Sequence, residues 1–148
     1  MIARRVAAGL ASVAVVLLVL GEFTTVFEVT VGSLDVVKRS VAGGDNHGYA
    51  LLVIAVAGAA MTLLALRGGV APALALTLLG VAALVVAFAV DLPDTRASGG
   101  LPESLAYEQA QARAGAGLWL EIAGGVALLA AGIGLSLAGR PARHGPRP

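Results

Sequence analysis

Four apolar stretches dominate this chain, and each approaches the length that a membrane-spanning helix requires. A helix needs about 20 mostly apolar residues to cross the hydrocarbon core of a bilayer. We place the spans at about 6–22, 49–66, 70–90 and 117–138. Because 58% of the 148 residues are hydrophobic, the composition is not that of a soluble domain. The sequence predicts an all-α membrane protein, a four-helix transmembrane bundle in a single integral membrane domain, 1–148.

The fourth stretch is rich in small residues at regular spacing. Gly117 and Gly124 belong to a row of small residues that recurs every seven positions, and Gly125 and Gly132 belong to an adjacent row. In lipid, such faces let helix backbones approach closely. We expect these glycines to pack against protein. The alternative is that they reflect only a composition rich in alanine and glycine.

The distribution of charge predicts the orientation in the membrane. In a four-span arrangement, six arginines and no acidic residue lie on one side. The other side carries four basic residues and all nine acidic ones. Basic residues in short loops mark the cytoplasmic side. We therefore predict a multi-pass protein of the plasma (inner) membrane with both termini and the basic tail, 139–148, in the cytoplasm.

The two outer loops, 23–48 and 91–116, are predicted to form a small extracytoplasmic cap. In the first loop, 25–31 alternates in the period of two that is typical of a strand, and 36–41 can return as its hairpin partner. Phe27, Val29 and Val31 are expected to face the bundle or the second loop.

The other residues of that strand, Glu28 and Thr30, are expected to face water. In the second loop, the segment PESLAYEQAQAR (102–113) has proline at its start and glutamate in its first turn, which favours a short helix.

Several polar residues should meet at the outer end of the bundle. Counted from the arginines at the inner ends, Glu22 and Glu121 lie near the outer interface, where each can reach water or a base. Arg113 would share a helical face with Glu121 if the fourth helix begins early. Because the second and third spans are adjacent, Asp45, His47 and Asp91 complete this candidate outer polar cluster.

Two interpretations of the cluster remain open. In the first, its members are helix caps and boundary residues. In the second, they form an oxygen-rich cation site with one imidazole. Their spacing matches no specific metal motif, although hard cations do need several convergent oxygens. The sequence therefore predicts no metal and no cofactor. The absence of cysteine excludes thiolate chemistry and cysteine metal sites.

The predicted order of elements resembles the claudin-type four-helix architecture in topology. It consists of a span, a hairpin, a second span, a tight inner turn, a third span, a loop and a fourth span. The first loop lacks that family's paired cysteines and tryptophan motif. The segments GGDNHGYALL (43–52) and GLWLEIAGG (117–125) are similar to uncharacterised small four-span membrane proteins of high-GC actinobacteria. This resemblance implies the four-span plan and no particular activity.

Three function classes follow from these observations. The leading hypothesis is a non-enzymatic assembly, scaffold or accessory component that acts through its outer cap and small-residue helix faces. The alternative is a small transport or channel subunit that gathers cations at the acidic cluster. An enzyme ranks third, because no coherent catalytic set is present. The expected partners are the lipid bilayer and a second copy or another membrane protein; no nucleic acid is expected.

Overall fold

A computed structural model describes residues 2–31, 36–96, 98–100 and 109–139. The chain is mostly helical and carries one small sheet. A π-helical turn, Ala87–Asp91, joins the fourth and fifth helices. The other elements in chain order are α1 (Ile2–Phe23), β1 (Thr25–Val31), β2 (Val36–Ala42), α2 (Gly43–His47), α3 (Ala50–Leu66), α4 (Val70–Val86), α5 (Leu92–Asp94), β3 (Ser98–Gly100), β4 (Gln109–Ala114) and α6 (Ala116–Ala138).

Three helical segments are long and apolar enough to cross a membrane. They are Ile2–Phe23, the continuous run Val70–Asp94, and Ala116–Ala138. Helix α3 is equally apolar but has 17 residues, which is about 26 Å at 1.5 Å per residue. That length falls slightly short of a hydrocarbon core of about 30 Å. The predicted helical membrane character is therefore confirmed for three helices.

The four long helices pack as a ring. Helix α6 lies chiefly against α1 and α4, and α3 completes the ring by packing on the same two helices. The buried face of each helix repeats at three- to four-residue intervals and consists mainly of alanine, leucine and glycine. Small side chains let these helices approach closely, and leucines such as Leu18 and Leu128 fill the remaining space.

The glycines of α6 lie directly against neighbouring helices. A methyl group added at Gly132 would lie 2.5 Å from the backbone nitrogen of Thr77 on α4. At Gly124 and Gly125 it would meet Leu18 and Leu84, each at 2.9 Å. At Gly117 it would meet the backbone between α1 and β1. The small-residue faces are thus used for packing within the chain.

The sheet lies beyond one end of the ring. Its order is β2-β1-β4-β3, and all three pairings are antiparallel. Strand β1 follows α1 almost directly, and β4 leads into α6 through Gly115, whose N–H donates to the carbonyl of Val26. The sheet is therefore attached to the C-terminal end of α1 and the N-terminal end of α6.

The short helix predicted over 102–113 is wrong in its last part, because Gln109–Ala114 is strand β4. The earlier part, 102–108, lies outside the described residues. Strand β1 explains the difference. Its second edge would otherwise present unpaired backbone groups, and pairing with β4 satisfies them. That gain overrides the local helix propensity of the alanine- and glutamine-rich segment.

The predicted facing of β1 is also partly wrong. Phe27 does pack towards the helices, but Val26 is fully buried with Ala87 and Leu118, and Thr30 is buried rather than in water. Two register shifts in the pairing with β2 interrupt the simple alternation. The hydroxyl of Thr30 donates to the carbonyl of Gln111 on β4, which satisfies its burial. The side chain of Val31 lies outside the described residues.

Candidate functional site

Four ionisable side chains meet where the helix ends join the sheet. Glu22 lies in the last turn of α1, His47 ends α2, Asp91 ends the π turn, and Glu121 lies early in α6. We call these four residues the buried cluster. Each comes from a different part of the chain, so the cluster exists only in the folded protein.

The imidazole of His47 is at the centre of the buried cluster. Its Nε2 atom lies 3.6 Å from Oε1 of Glu121 and 3.9 Å from Oδ2 of Asp91. Its Nδ1 atom lies 3.9 Å from Oε2 of Glu22. The ring therefore has two carboxylates beside one nitrogen and a single carboxylate beside the other.

The buried cluster is withdrawn from solvent without hydrogen-bond compensation. Glu22, Asp91 and Glu121 are 0% exposed, and the side chain of His47 is 4% exposed. Seven of their side-chain nitrogen and oxygen atoms have no hydrogen-bond partner. Native proteins pair the great majority of such atoms, and an unpaired buried charge is costly. This set therefore calls for a compensating group.

Asp91 lies on the buried face of the long helix, at the end of a π turn. In Ala87–Asp91 the two end residues are buried, whereas Phe88, Ala89 and Val90 are exposed. Single π turns within α-helices are frequent at functional sites. Asp91 follows the buried Ala87 by four residues, so its carboxylate shares the buried face of the helix and is close to His47.

Two consecutive left-handed residues follow His47. Gly48 has φ 63° and Tyr49 has φ 62°; the left-handed region is ordinary for glycine but uncommon for a bulky residue. These two residues end α2 and precede α3, so the chain changes direction between the two helices. The Tyr49 ring packs over Gly44, where an added methyl group would lie 2.7 Å from it. Local backbone strain of this kind is often found at functional sites.

Two glycines line the buried cluster where no larger side chain fits. A methyl group at Gly43 would lie 2.8 Å from Oε1 of Glu121 and 3.2 Å from Nε2 of His47. At Gly21 it would lie 2.9 Å from Cγ of Glu121. Because position 43 is a glycine, no side chain fills the space beside Nε2 of His47.

The side chain of Asn46 orients Asp91 by hydrogen bonding. The side-chain amide of Asn46 donates to Oδ1 of Asp91 at 2.8 Å and to Oδ2 of Asp94 at 3.1 Å. One oxygen of Asp91 is thereby used, and Oδ2 remains directed at His47. The sequence analysis did not identify this role of Asn46.

Opposing effects act on the pKa of His47. Burial lowers it, while the carboxylates of Glu121, Asp91 and Glu22 raise it, and together they leave the pKa above its ordinary value. A positive charge at this ring is thus favoured by its surroundings. The same surroundings would favour a metal ion.

His47, Asp91 and Glu121 offer one ligand atom each within 4.8 Å of one another. Two donors bound at about 2.1 Å to a tetrahedral ion lie about 3.4 Å apart. The observed distances from Nε2 of His47, 3.6 Å to Glu121 and 3.9 Å to Asp91, exceed this value by only a few tenths of an ångström. Three protein ligands leave at least one coordination position for water or another ligand.

The other two residues of the candidate outer polar cluster lie elsewhere. Asp45 is exposed on α2. Arg113 lies on β4 opposite Glu28 and not on α6, because that helix begins only at Ala116. Glu22 and Glu121 are 0% exposed and do not reach water, but each lies beside a base, the imidazole of His47.

The fold and the site together define an apolar helical protein, with three helices suited to a membrane and a buried carboxylate–imidazole cluster at one end. Comparison of the chain with protein-family models, with curated proteins and with solved structures gives no match.

Proposed function

We propose that the chain is a four-span membrane protein that binds one divalent metal ion in the buried cluster, at the extracytoplasmic side. The observation that carries this proposal is the set of seven buried, unpaired nitrogen and oxygen atoms around His47. A divalent ion would offset the charge of the carboxylates and take one of these unpaired atoms each from His47, Asp91 and Glu121 as a ligand.

Exposed aromatic side chains support the proposed depth of the site. Phe23, Tyr49, Phe88 and Trp119 are all exposed, and each lies within three positions of a residue of the buried cluster. Aromatic residues mark the interface between membrane and water. The cluster would then lie at the level of the outer headgroups, with the sheet above it in water.

The inner end supports the proposed orientation. Arg4 donates hydrogen bonds to the carbonyls of Ala65 and Leu66 at the C-terminus of α3. Together with the exposed Arg67, this places basic groups at the end opposite the acidic cluster. The positive-inside rule assigns that end to the cytoplasm, and α3 would then serve as the fourth span.

The helices below the buried cluster favour a binding protein over a conduit. Among the described residues, the hydroxyls of the spans are Ser12, Thr62, Thr77 and Ser136, and each donates to the carbonyl four residues earlier in its own helix. A path for ions normally needs polar groups at mid-depth. We therefore propose that the ion enters and leaves on the outer side.

The small-residue face of α6 no longer favours the scaffold hypothesis. The small residues of α6 are occupied by α1 and α4, so they are not free to receive a partner helix. An assembly role through the sheet stays a prediction. Size measurement of the detergent-solubilised protein with and without metal would test it, since such a role predicts a metal-dependent change in oligomeric state.

Metal binding by the purified full-length protein tests the proposal. After treatment with a chelator, calorimetric titration with Zn²⁺ or Mn²⁺ should give one site per chain. His47→Ala should abolish the site, and Asp45→Asn, an exposed carboxylate on the same short helix, should leave it intact. Absence of binding, or equal binding by the His47 variant, would refute the proposed site.

A further inference from the structure

The three carboxylates of the buried cluster are not equivalent around the imidazole. Asp91 and Glu121 lie beside Nε2, whereas Glu22 lies beside Nδ1. A neutral imidazole has one N–H and one lone pair, on different nitrogens. A metal ion can take only the nitrogen that carries the lone pair. The role of Glu22 therefore depends on which nitrogen that is.

Only one tautomer places the lone pair where a metal ion would find further ligands. With hydrogen on Nδ1, the ring donates towards Glu22 and directs the Nε2 lone pair between Asp91 and Glu121. With hydrogen on Nε2, the lone pair would face Glu22 alone. In metal sites, the second ring nitrogen of a histidine ligand usually donates to a carboxylate or carbonyl, which fixes the tautomer.

The position of Glu22 suits this role. It is fully buried at the end of α1 and faces the first turn of α3, near the backbone N–H groups of Leu51 and Leu52. The positive end of a helix favours a carboxylate there. Glu22 is therefore close both to the first turn of α3 and to the imidazole of His47.

We propose that Glu22 is a positioning residue that holds His47 as the Nδ1–H tautomer, and that the resulting site selects a first-row transition-metal ion over Mg²⁺ and Ca²⁺. This inference rests on the proposed function. One imidazole and two carboxylates match the ligands of Zn²⁺, Mn²⁺ and Fe²⁺. Mg²⁺ and Ca²⁺ instead take oxygen ligands, typically six or more.

Asn46 acts on Asp91 in the same manner. By donating to Oδ1 of Asp91, it leaves Oδ2 as the free ligand atom. Two of the three ligand atoms would thus be directed by residues that do not touch the ion. Such outer partners typically change metal affinity about 10- to 100-fold when they are removed.

The test uses the full-length protein in lipid nanodiscs with the tail histidine removed by His144→Gln. The chain has two histidines, so His47 then gives the only histidine ring signals. With ¹⁵N-labelled histidine and Zn²⁺, the spectra should show hydrogen on Nδ1 and metal on Nε2. Metal on Nδ1 would overturn the inference, and this measurement requires no change in the site.

Affinity measurements then separate positioning from ligation. Glu22→Gln should weaken Zn²⁺ binding about 10- to 100-fold and leave one site per chain, with Asp45→Asn unchanged. Unaltered affinity in the Glu22 variant would overturn the inference, as would complete loss equal to that of His47→Ala, because Glu22 would then be a ligand. Equal affinity of the parent protein for Zn²⁺ and Ca²⁺ would overturn the selectivity. Failure of the parent protein to bind Zn²⁺ at all would instead refute the proposed function.

Discussion

Nε2 of His47 lies 3.6 Å from Oε1 of Glu121, and neither atom has a hydrogen-bond partner. The two residues come from distant parts of the chain, since His47 ends the short helix α2 and Glu121 lies in α6. Their separation exceeds a hydrogen bond but is close to the distance between two ligands of one ion. This relationship is the basis of the metal hypothesis.

Metal removal should destabilise the protein. The ligands join α2, the end of the α4 segment and α6, so an ion bound to the folded state alone would stabilise all three connections. At a metal concentration 100 times Kd the gain is about 2.7 kcal/mol. The melting temperature in detergent should therefore fall on chelation and recover with Zn²⁺. In His47→Ala it should not respond to metal, and a full response in that variant would contradict the site.

Gly43→Ala should impair metal binding without unfolding the protein. The added methyl group would lie 2.8 Å from Oε1 of Glu121 and 3.2 Å from Nε2 of His47, within the space that the ion requires. Overpacking costs about 1–3 kcal/mol, which corresponds to about 5- to 150-fold in affinity. The matched control is Gly9→Ala, where a methyl group meets nothing within 4 Å. Equal Zn²⁺ affinity of the two variants in calorimetry would argue against an ion beside Gly43.

Gly132→Ala should lower stability, because its methyl group would lie 2.5 Å from the Thr77 backbone nitrogen and α4 would have to move. We expect a loss of about 1–3 kcal/mol. Gly9→Ala again serves as control and should be neutral or slightly stabilising, since alanine is the better helix former. Thermal unfolding in detergent measures both. A stable Gly132 variant would show that α4 and α6 do not pack as closely as described.

Surface labelling should report the orientation. The chain has no cysteine, so single cysteines can be introduced at exposed positions without interference. In intact cells, a membrane-impermeant thiol reagent should label Ser40→Cys on β2 and should not label Arg67→Cys between α3 and α4. Labelling of Arg67→Cys before cell lysis would contradict the predicted topology.

The helices were predictable from sequence, whereas the geometry of the cluster was not. Long apolar runs bounded by charge predict helices because the period and length are local properties. The same reasoning indicated that Glu22, Asp91 and Glu121 lie near one end. It carried no information on burial, because Glu121 is covered by Gly21 of α1 and by residues of α2, which are distant in sequence.

Non-local pairing and local backbone irregularities explain what was missed. Strand β4 forms because β1 offers it an edge, against the helix propensity of its own residues. Asp91 follows the buried Ala87 by four residues, a spacing that itself indicates the buried face, but the π turn in the apolar run AFAVD has no sequence signal of its own. The chain turns directly after His47 through the left-handed backbone conformation of Tyr49. The presence of a tyrosine does not predict this conformation.

X-ray absorption at the zinc edge of the loaded protein, in the His144→Gln background, tests the central claim most directly. We predict one ion per chain with a single imidazole nitrogen at about 2.0–2.1 Å and carboxylate oxygens at about 2.0–2.2 Å. In His47→Ala the imidazole contribution should vanish together with tight binding. A zinc ion coordinated only by oxygen in the parent protein, or an unchanged spectrum in the His47 variant, would contradict the proposed site.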